Sequence, residues 1–222
     1  EAKRIFQEIV PHVDVVVENF SRGTSERLGV GYSAARAVKP DIIYCSISGF
    51  GQEGTPGGGK AMDNIIQALS GMMMTSGMPD EPPARIAVPF GDLNTPLFAV
   101  IGILAALFHH KNTGEGQYID VSMLGVLTSM LSTEPFDVLE RLGVPMRTGP
   151  TVPRLAPFGV YPASDGYVVI CCAGERSFEK FAPAIGRPEL LDDPDYSSQS
   201  ARLRNYEALD AIVGEWSSRR TI

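Results

Sequence analysis

Asp92 is the residue whose surroundings single it out for chemistry. It stands in the segment VPFGDLNTPLFAVIGILAALFHHKNTGEGQYIDVSML, residues 88–124. A strand-like opening breaks at Gly91-Asp92, and Thr95-Pro96 reads as a helix N-cap followed by proline at the first helical position. No polar side chain occurs from Pro96 to Phe108. A helix apolar on every side is expected inside a core, and this run is too short for a bilayer of about 30 Å. Asp92 is thus expected just ahead of the positive end of a buried helix. A capping or turn role is the plain reading, although Asn94 and Thr95 are better placed for it. The sharper reading is a nucleophile or base, because helix N-terminal amides favour the ionised carboxylate that attacks an acyl group.

Other chemistry-bearing motifs are weaker. Gly49–Gly54 matches G-x-G-x-x-G after a strand, but Thr55-Pro56-Gly57-Gly58-Gly59 delays the helix that a dinucleotide site requires. Gly54 to Ala61 approaches a P-loop, with Lys60 where a phosphate-binding lysine falls. Ala61 replaces the magnesium-holding hydroxyl, and no clean hydrophobic run ends in a Walker-B aspartate, since Pro89 interrupts AVPFGD. A glycine-rich loop with one lysine ahead of a helix survives as a phosphate contact or an ordinary solvated loop. His109 and His110 read as last-turn residues, His12 as a connection residue and Met72–Met74 as core filler. No Ser-His-Asp order and no metal-ligand spacing is present.

The elements that must position these residues follow a strand–helix alternation. Apolar strands are expected at Val13–Glu18, Asp41–Ser48 and Gln117–Val121. Helices are expected from the start of the chain to about Val10, at 23–28, 32–38, 62–72 and 124–142. That order is an α/β domain with a parallel sheet. Glycines and prolines cluster from Gly143 to Pro157, placing a boundary near Thr151 and dividing the chain into 1–150 and 151–222. The second part reads as small and α+β, with a hairpin turning at Ser164-Asp165-Gly166 and helices at 177–185 and 205–217. Both ends of the chain open or stop on helices, so a segment of a longer protein, truncated at both ends, is expected.

The 222 residues are 44% hydrophobic and 20% charged, ordinary for a globular protein, with a formal net charge of -7. No basic cluster offers a nucleic-acid face. The three cysteines, Cys45, Cys171 and Cys172, lie in β-branched runs suited to packing. The expectation is a reduced, cytoplasmic protein without a signal peptide, membrane span or metal.

Beyond this point the sequence resembles a known family. DVVVENFSRGTSERLGVGY, KPDIIYCSISGFGQEG, AMDNIIQALSGMM and the Asp92 segment closely resemble class III CoA-transferases, as do APFGVYPASDGYVVICC and GRPELLDDPDY. The resemblance implies a Rossmann-like large domain plus a small domain, in two interlocked chains. It implies CoA transfer from an acyl-CoA to a carboxylic acid, with Asp92 as nucleophile and Asp63 assisting. Coenzyme A contacts fall on Asn19, Phe20, Ser21, Arg27, Gly59, Lys60, Ala61 and Met62. Coenzyme A and acyl-CoA are then substrates, with no permanently bound cofactor, and the partners are small carboxylic acids and a second copy of the chain, not nucleic acid or membrane. The donor and acceptor stay open among carnitine-type, bile-acid-type and dicarboxylate transferases. A 2-methylacyl-CoA racemase of the same fold needs a histidine at or beside position 62, where Met62 cannot carry a proton. The remaining alternative is a non-catalytic scaffold.

Overall fold

In the computed structural model, which describes residues 1–54 and 61–222, the apolar strands form a parallel sheet. After α1 (Ala2–Ile9) the chain enters β1 (Val15–Glu18), crosses through α2 (Thr24–Leu28) and α3 (Tyr32–Val38), and returns in β2 (Ile43–Ser48). Helices α4 (Asp63–Leu69) and α5 (Phe90–Thr113) precede β3 (Tyr118–Ser122). The strand order is β1-β2-β3, with Val16 opposite Tyr44 and Cys45 opposite Ile119. Every residue of central β2 is buried, as expected of a β-branched strand covered on both faces. Alternation then divides it: Cys45 and Ile47 pack with Ala99 of α5, whereas Tyr44 packs with Val10 and Ala35.

The long helix departs from its expected form in two ways. It begins at Phe90, so Asp92 lies within its first turn and Pro96 in its interior. Thr95 does not cap it: its hydroxyl donates to the Gly91 carbonyl at 2.6 Å, one turn back. Nor is the helix buried all round. Gly91, Thr95, Ala99 and Ala106 are buried, while Leu97, Ile101 and Phe108 are 59%, 62% and 72% exposed. The run of small residues faces the sheet, and the large apolar ones face away. With 24 residues the helix is long and apolar enough to cross a membrane by length and composition, so shortness does not argue against a bilayer.

The expected helix over 124–142 is two pieces, α6 (Met123–Leu131) and α7 (Phe136–Arg141). Pro135 falls between them and cannot supply the backbone donor that continuation needs.

The chain divides into two compact units, residues 1–75 with 83–135, and residues 76–82 with 136–222. Residues 136–150 therefore pack with the second unit, where the sequence reading groups them with the first. The second unit holds the antiparallel hairpin β4 (Phe158–Ala163) and β5 (Gly166–Cys171), then α8 (Glu175–Ala184), α9 (Gln199–Arg204) and α10 (Tyr206–Ser218). Its core gathers Ala156, Cys172, Phe178, Ala182, Leu190 and Leu209. Adjacent Cys171 and Cys172 take opposite faces, exposed and buried. Burial pushes the Cys45 and Cys172 thiols up to about 11, so both stay protonated and unreactive.

Candidate active site

Asp92 and Asp63 meet where α5 begins. Asp63, the first residue of α4, reaches across with its carboxylate. Its Oδ1 accepts the Gly91 N–H at 2.6 Å and the Asp92 N–H at 3.3 Å. A side chain on another helix thereby satisfies the first amides of α5, the task the sequence reading gives to Asn94 and Thr95. Glycine at 91 leaves room for this contact, because a Cβ there would lie 3.0 Å from Asp63 Oδ1 and the carboxylate would have to give way by a few tenths of an ångström. Asp63 is fixed in turn by Gln67 one turn later, whose Nε2 donates to Oδ2 at 2.6 Å. Gln67 is fully buried, and its Oε1 accepts the Ile86 N–H at 2.9 Å. One amide thus ties α4 to the irregular segment leading into α5.

The Asp92 side chain is treated differently. It is exposed and receives no hydrogen bond from any described residue, although it sits in the turn where helix amides converge. It lines a cavity of about 460 Å³ together with Ala61, Met62, Asp63, Arg85 and Pro89. Asp63 is held by three donors and serves as the anchor, whereas Asp92 is presented. An ionised carboxylate at a helix start, open to a cleft, is a group able to attack an acyl carbon. A larger cavity of about 570 Å³ lies in the second unit, lined by Leu142, Pro145, Arg204, Tyr206 and Glu207. It holds no comparable carboxylate pair.

Of the residues that the family resemblance assigns to coenzyme A, those after β1 stand at the carboxyl end of a parallel strand, where ligands of such sheets bind. Asn19, Phe20 and Ser21 follow β1 directly and are exposed. The Phe20 N–H donates to Glu18 Oε2 at 2.7 Å, turning the chain sharply off the strand. Arg27 is exposed on α2 and donates to Thr24 Oγ1 at 3.0 Å. The loop after β2 is pinned to this stretch, since Gln52 Oε1 accepts the Gly23 N–H at 3.1 Å and Arg22 donates to the Gly54 carbonyl at 2.6 Å. Gln52's own N–H donates to Asp120 of β3 at 2.6 Å. A Cβ on Gly49 would collide with the Ala61 methyl, so the chain ends flanking the glycine-rich loop approach too closely for any other residue. Ala61 and Met62 line the Asp92 cavity, whereas Gly59 and Lys60 lie outside the described residues.

Sequence reasoning passed over Gln67 and Arg85. The first was legible in principle, because an Asp and a Gln four apart share one helix face. Arg85 stands in an irregular proline-bounded stretch where no periodicity points anywhere.

An α/β unit that presents an exposed carboxylate in the first turn of a helix, open to a cavity of about 460 Å³, has a site suited to acyl transfer. The family model for CoA-transferase family III matches residues 1–222, and the chain belongs to that family. It is 37% identical over 222 residues to a succinyl-CoA:mesaconate CoA-transferase from Haloarcula marismortui, covering 98% of this chain and 56% of the relative. It is 39% identical over 212 residues to an acetyl-CoA:oxalate CoA-transferase from Acetobacter aceti, covering 95% and 54%. The chain therefore spans just over half the length of these relatives. Among solved structures, a CAIB/BAIF family protein from Brucella suis superposes with a TM-score of 0.78 at 34% identity, covering 99% of this chain and 58% of that one.

Proposed function

We propose that this chain carries the catalytic centre of a CoA-transferase that moves coenzyme A from an acyl-CoA donor to a carboxylic acid, with Asp92 as the nucleophile. The observation that carries it is the Asp92 carboxylate, presented without a partner among the described residues while its backbone is clamped by Asp63.

An Asp92 oxygen attacks the thioester carbonyl, the carbon–sulfur bond breaks, and CoA leaves as the thiolate beside a mixed anhydride. The thiolate attacks the Asp92 carbonyl carbon, releasing the donor acid and leaving an aspartyl-CoA thioester. The acceptor carboxylate then attacks that thioester to give a second anhydride and thiolate. Attack of the thiolate on the acceptor's carbonyl yields the new acyl-CoA and restores Asp92. Dividing the transfer in this way replaces one hard step with easier ones. Asp63 keeps Asp92 in register throughout. Asn19, Phe20, Ser21, Arg27, Ala61 and Met62 are assigned to CoA contacts, with Gly59 and Lys60 assigned on the family pattern alone.

The relatives named for mesaconate, citramalate, oxalate and glutarate support small dicarboxylic acids as the substrate class. Assembly as an interlocked homodimer is proposed with it, and the uncovered apolar side of α5 supports a partner surface. The decisive experiment is incubation with acyl-CoA, hydroxylamine trapping and peptide mass mapping. A hydroxamate at Asp92 is expected; a folded protein that binds CoA and gives none overturns the reading.

A further inference from the structure

Arg85 lines the cavity that presents Asp92 and is the one cation among that cavity's described lining residues. Two carboxylates share that cavity, yet Arg85 pairs with neither. Its Nη1 donates to the Ala87 carbonyl at 2.7 Å and the Ile86 carbonyl at 3.3 Å, both in its own segment. Those contacts fix the plane of the group and leave Nε and Nη2 without partners among the described residues. The segment itself is constrained, with Pro82 and Pro83 before it and Pro89 after it. The next residue, Ile86, is held by the same Gln67 that holds Asp63. One buried side chain thus sets the place of both the nucleophile's anchor and the cation.

We propose, building on the transferase reading above, that Arg85 is a specificity-determining residue that grips the far carboxylate of a dicarboxylic substrate while its near carboxylate reacts at Asp92. An anion entering a cleft that already holds Asp63 and Asp92 meets like charge. A monocarboxylic acid has only its reacting end to offer. A dicarboxylic acid brings a second carboxylate, and a fixed guanidinium with two free donors is suited to it. Arg85 leaves that carboxylate paired and so orients the reacting end.

The test compares acceptors matched in chain length, succinate against butyrate and glutarate against valerate, in the full-length wild-type, Arg85→Gln and Arg85→Lys proteins. Loss of a charge-assisted contact should lower kcat/KM of Arg85→Gln for the dicarboxylic acids by about 10- to 100-fold while leaving the monocarboxylic acids within about threefold. Arg85→Lys should recover part of the difference. Equal losses for both acid types overturn the proposal. So does a rise confined to the KM of acetyl-CoA, which would make Arg85 a CoA phosphate contact. An Asp92 adduct that forms in wild type and in Arg85→Gln, with acid selectivity unchanged, overturns the Arg85 assignment and leaves the transferase reading standing. A wild-type protein that gives no adduct overturns both.

Discussion

Asp92 in the first unit and Arg202 in the second are both charged side chains, and the protein deals with them in opposite ways. Arg202 is 1% exposed and every edge of its guanidinium is matched: Nε to the Ala156 carbonyl at 3.3 Å, Nη1 to the Tyr196 carbonyl at 2.9 Å and Nη2 to Glu175 at 3.0 Å. Its Cζ lies over the Phe178 ring, 4.3 Å from the centroid. Asp92 is exposed, and its carboxylate takes no hydrogen bond from a described residue. The effort instead goes into its backbone, through Asp63 and Gln67. A saturated charge holds structure together; one left unsaturated on a fixed backbone is available to react.

The strongest way to break this contrast is at Asp92 itself. Asp92→Asn keeps the shape and removes the proposed nucleophile, so transfer should fall by at least about 10⁴-fold with CoA affinity nearly unchanged. Turnover assays and equilibrium CoA binding on the same preparation check it. Parallel loss of binding and thermal stability would move Asp92 into the same structural class as Arg202.

Arg202→Ala should do the reverse. Removing a buried, paired guanidinium leaves three acceptors unmatched and a gap beside Phe178, costing about 3 kcal/mol of stability in the second unit. Trp216, the sole tryptophan, packs against that unit's core and reports its unfolding by fluorescence. A change below about 0.5 kcal/mol would place Arg202 among ordinary surface substitutions and dissolve the comparison.

Gln67 lies between these extremes because it is both buried and linked to the site. Gln67→Leu should cost about 2 kcal/mol through the unpaired Ile86 N–H and loosened Asp63, and lower turnover by about 10-fold. Melting curves and kcat measured at a temperature well below the transition separate the two effects. A loss of stability with kcat intact would show that Asp63 keeps its place without Gln67.

How much of this contrast a sequence can show depends on the range of the contacts. The β-branched runs of β1 and β2 and the turn at Ser164-Asp165-Gly166 are local patterns, and each has its counterpart in the structure. Asp92 stood out because its neighbours along the chain are so apolar. Asp63 enters the sequence reading only through the family resemblance and not as the anchor, since it is 29 residues away and cap rules look only at adjacent positions. The same blindness moved the start of α5 from Phe90 to Pro96. It also made the helix look buried on every side, because composition states how apolar a surface is and not what covers it. The break at Pro135 was different: the proline was in plain view, and the periodic reading ran through it.

The smallest expected effect sharpens the saturated side of the comparison. Glu175 Oε1 accepts the Gln199 N–H at 2.9 Å while Oε2 meets Arg202. The backbone donor first, and then the guanidinium, hold its carboxyl below the ordinary 4.5. A depressed folded-state pKa contributes stability that is fully present above about pH 4.5 and is lost as pH falls through the folded value. The side chain is 54% exposed, so solvent screens the pair and the contribution stays below about 1 kcal/mol. Glu175→Gln keeps an acceptor for Gln199 but turns the Arg202 contact into donor facing donor or forces a flip. The variant should therefore be slightly less stable than wild type near neutrality, with a gap that closes on acidification below pH 4.5. Asp210, raised by burial, acts with the opposite sign but is common to both proteins and cancels in the difference. Urea unfolding followed through Trp216 across this pH range measures the gap directly. A gap that persists unchanged into acid would mean that Glu175 contributes through shape and not charge, and that Arg202 is held by its carbonyls and Phe178 alone.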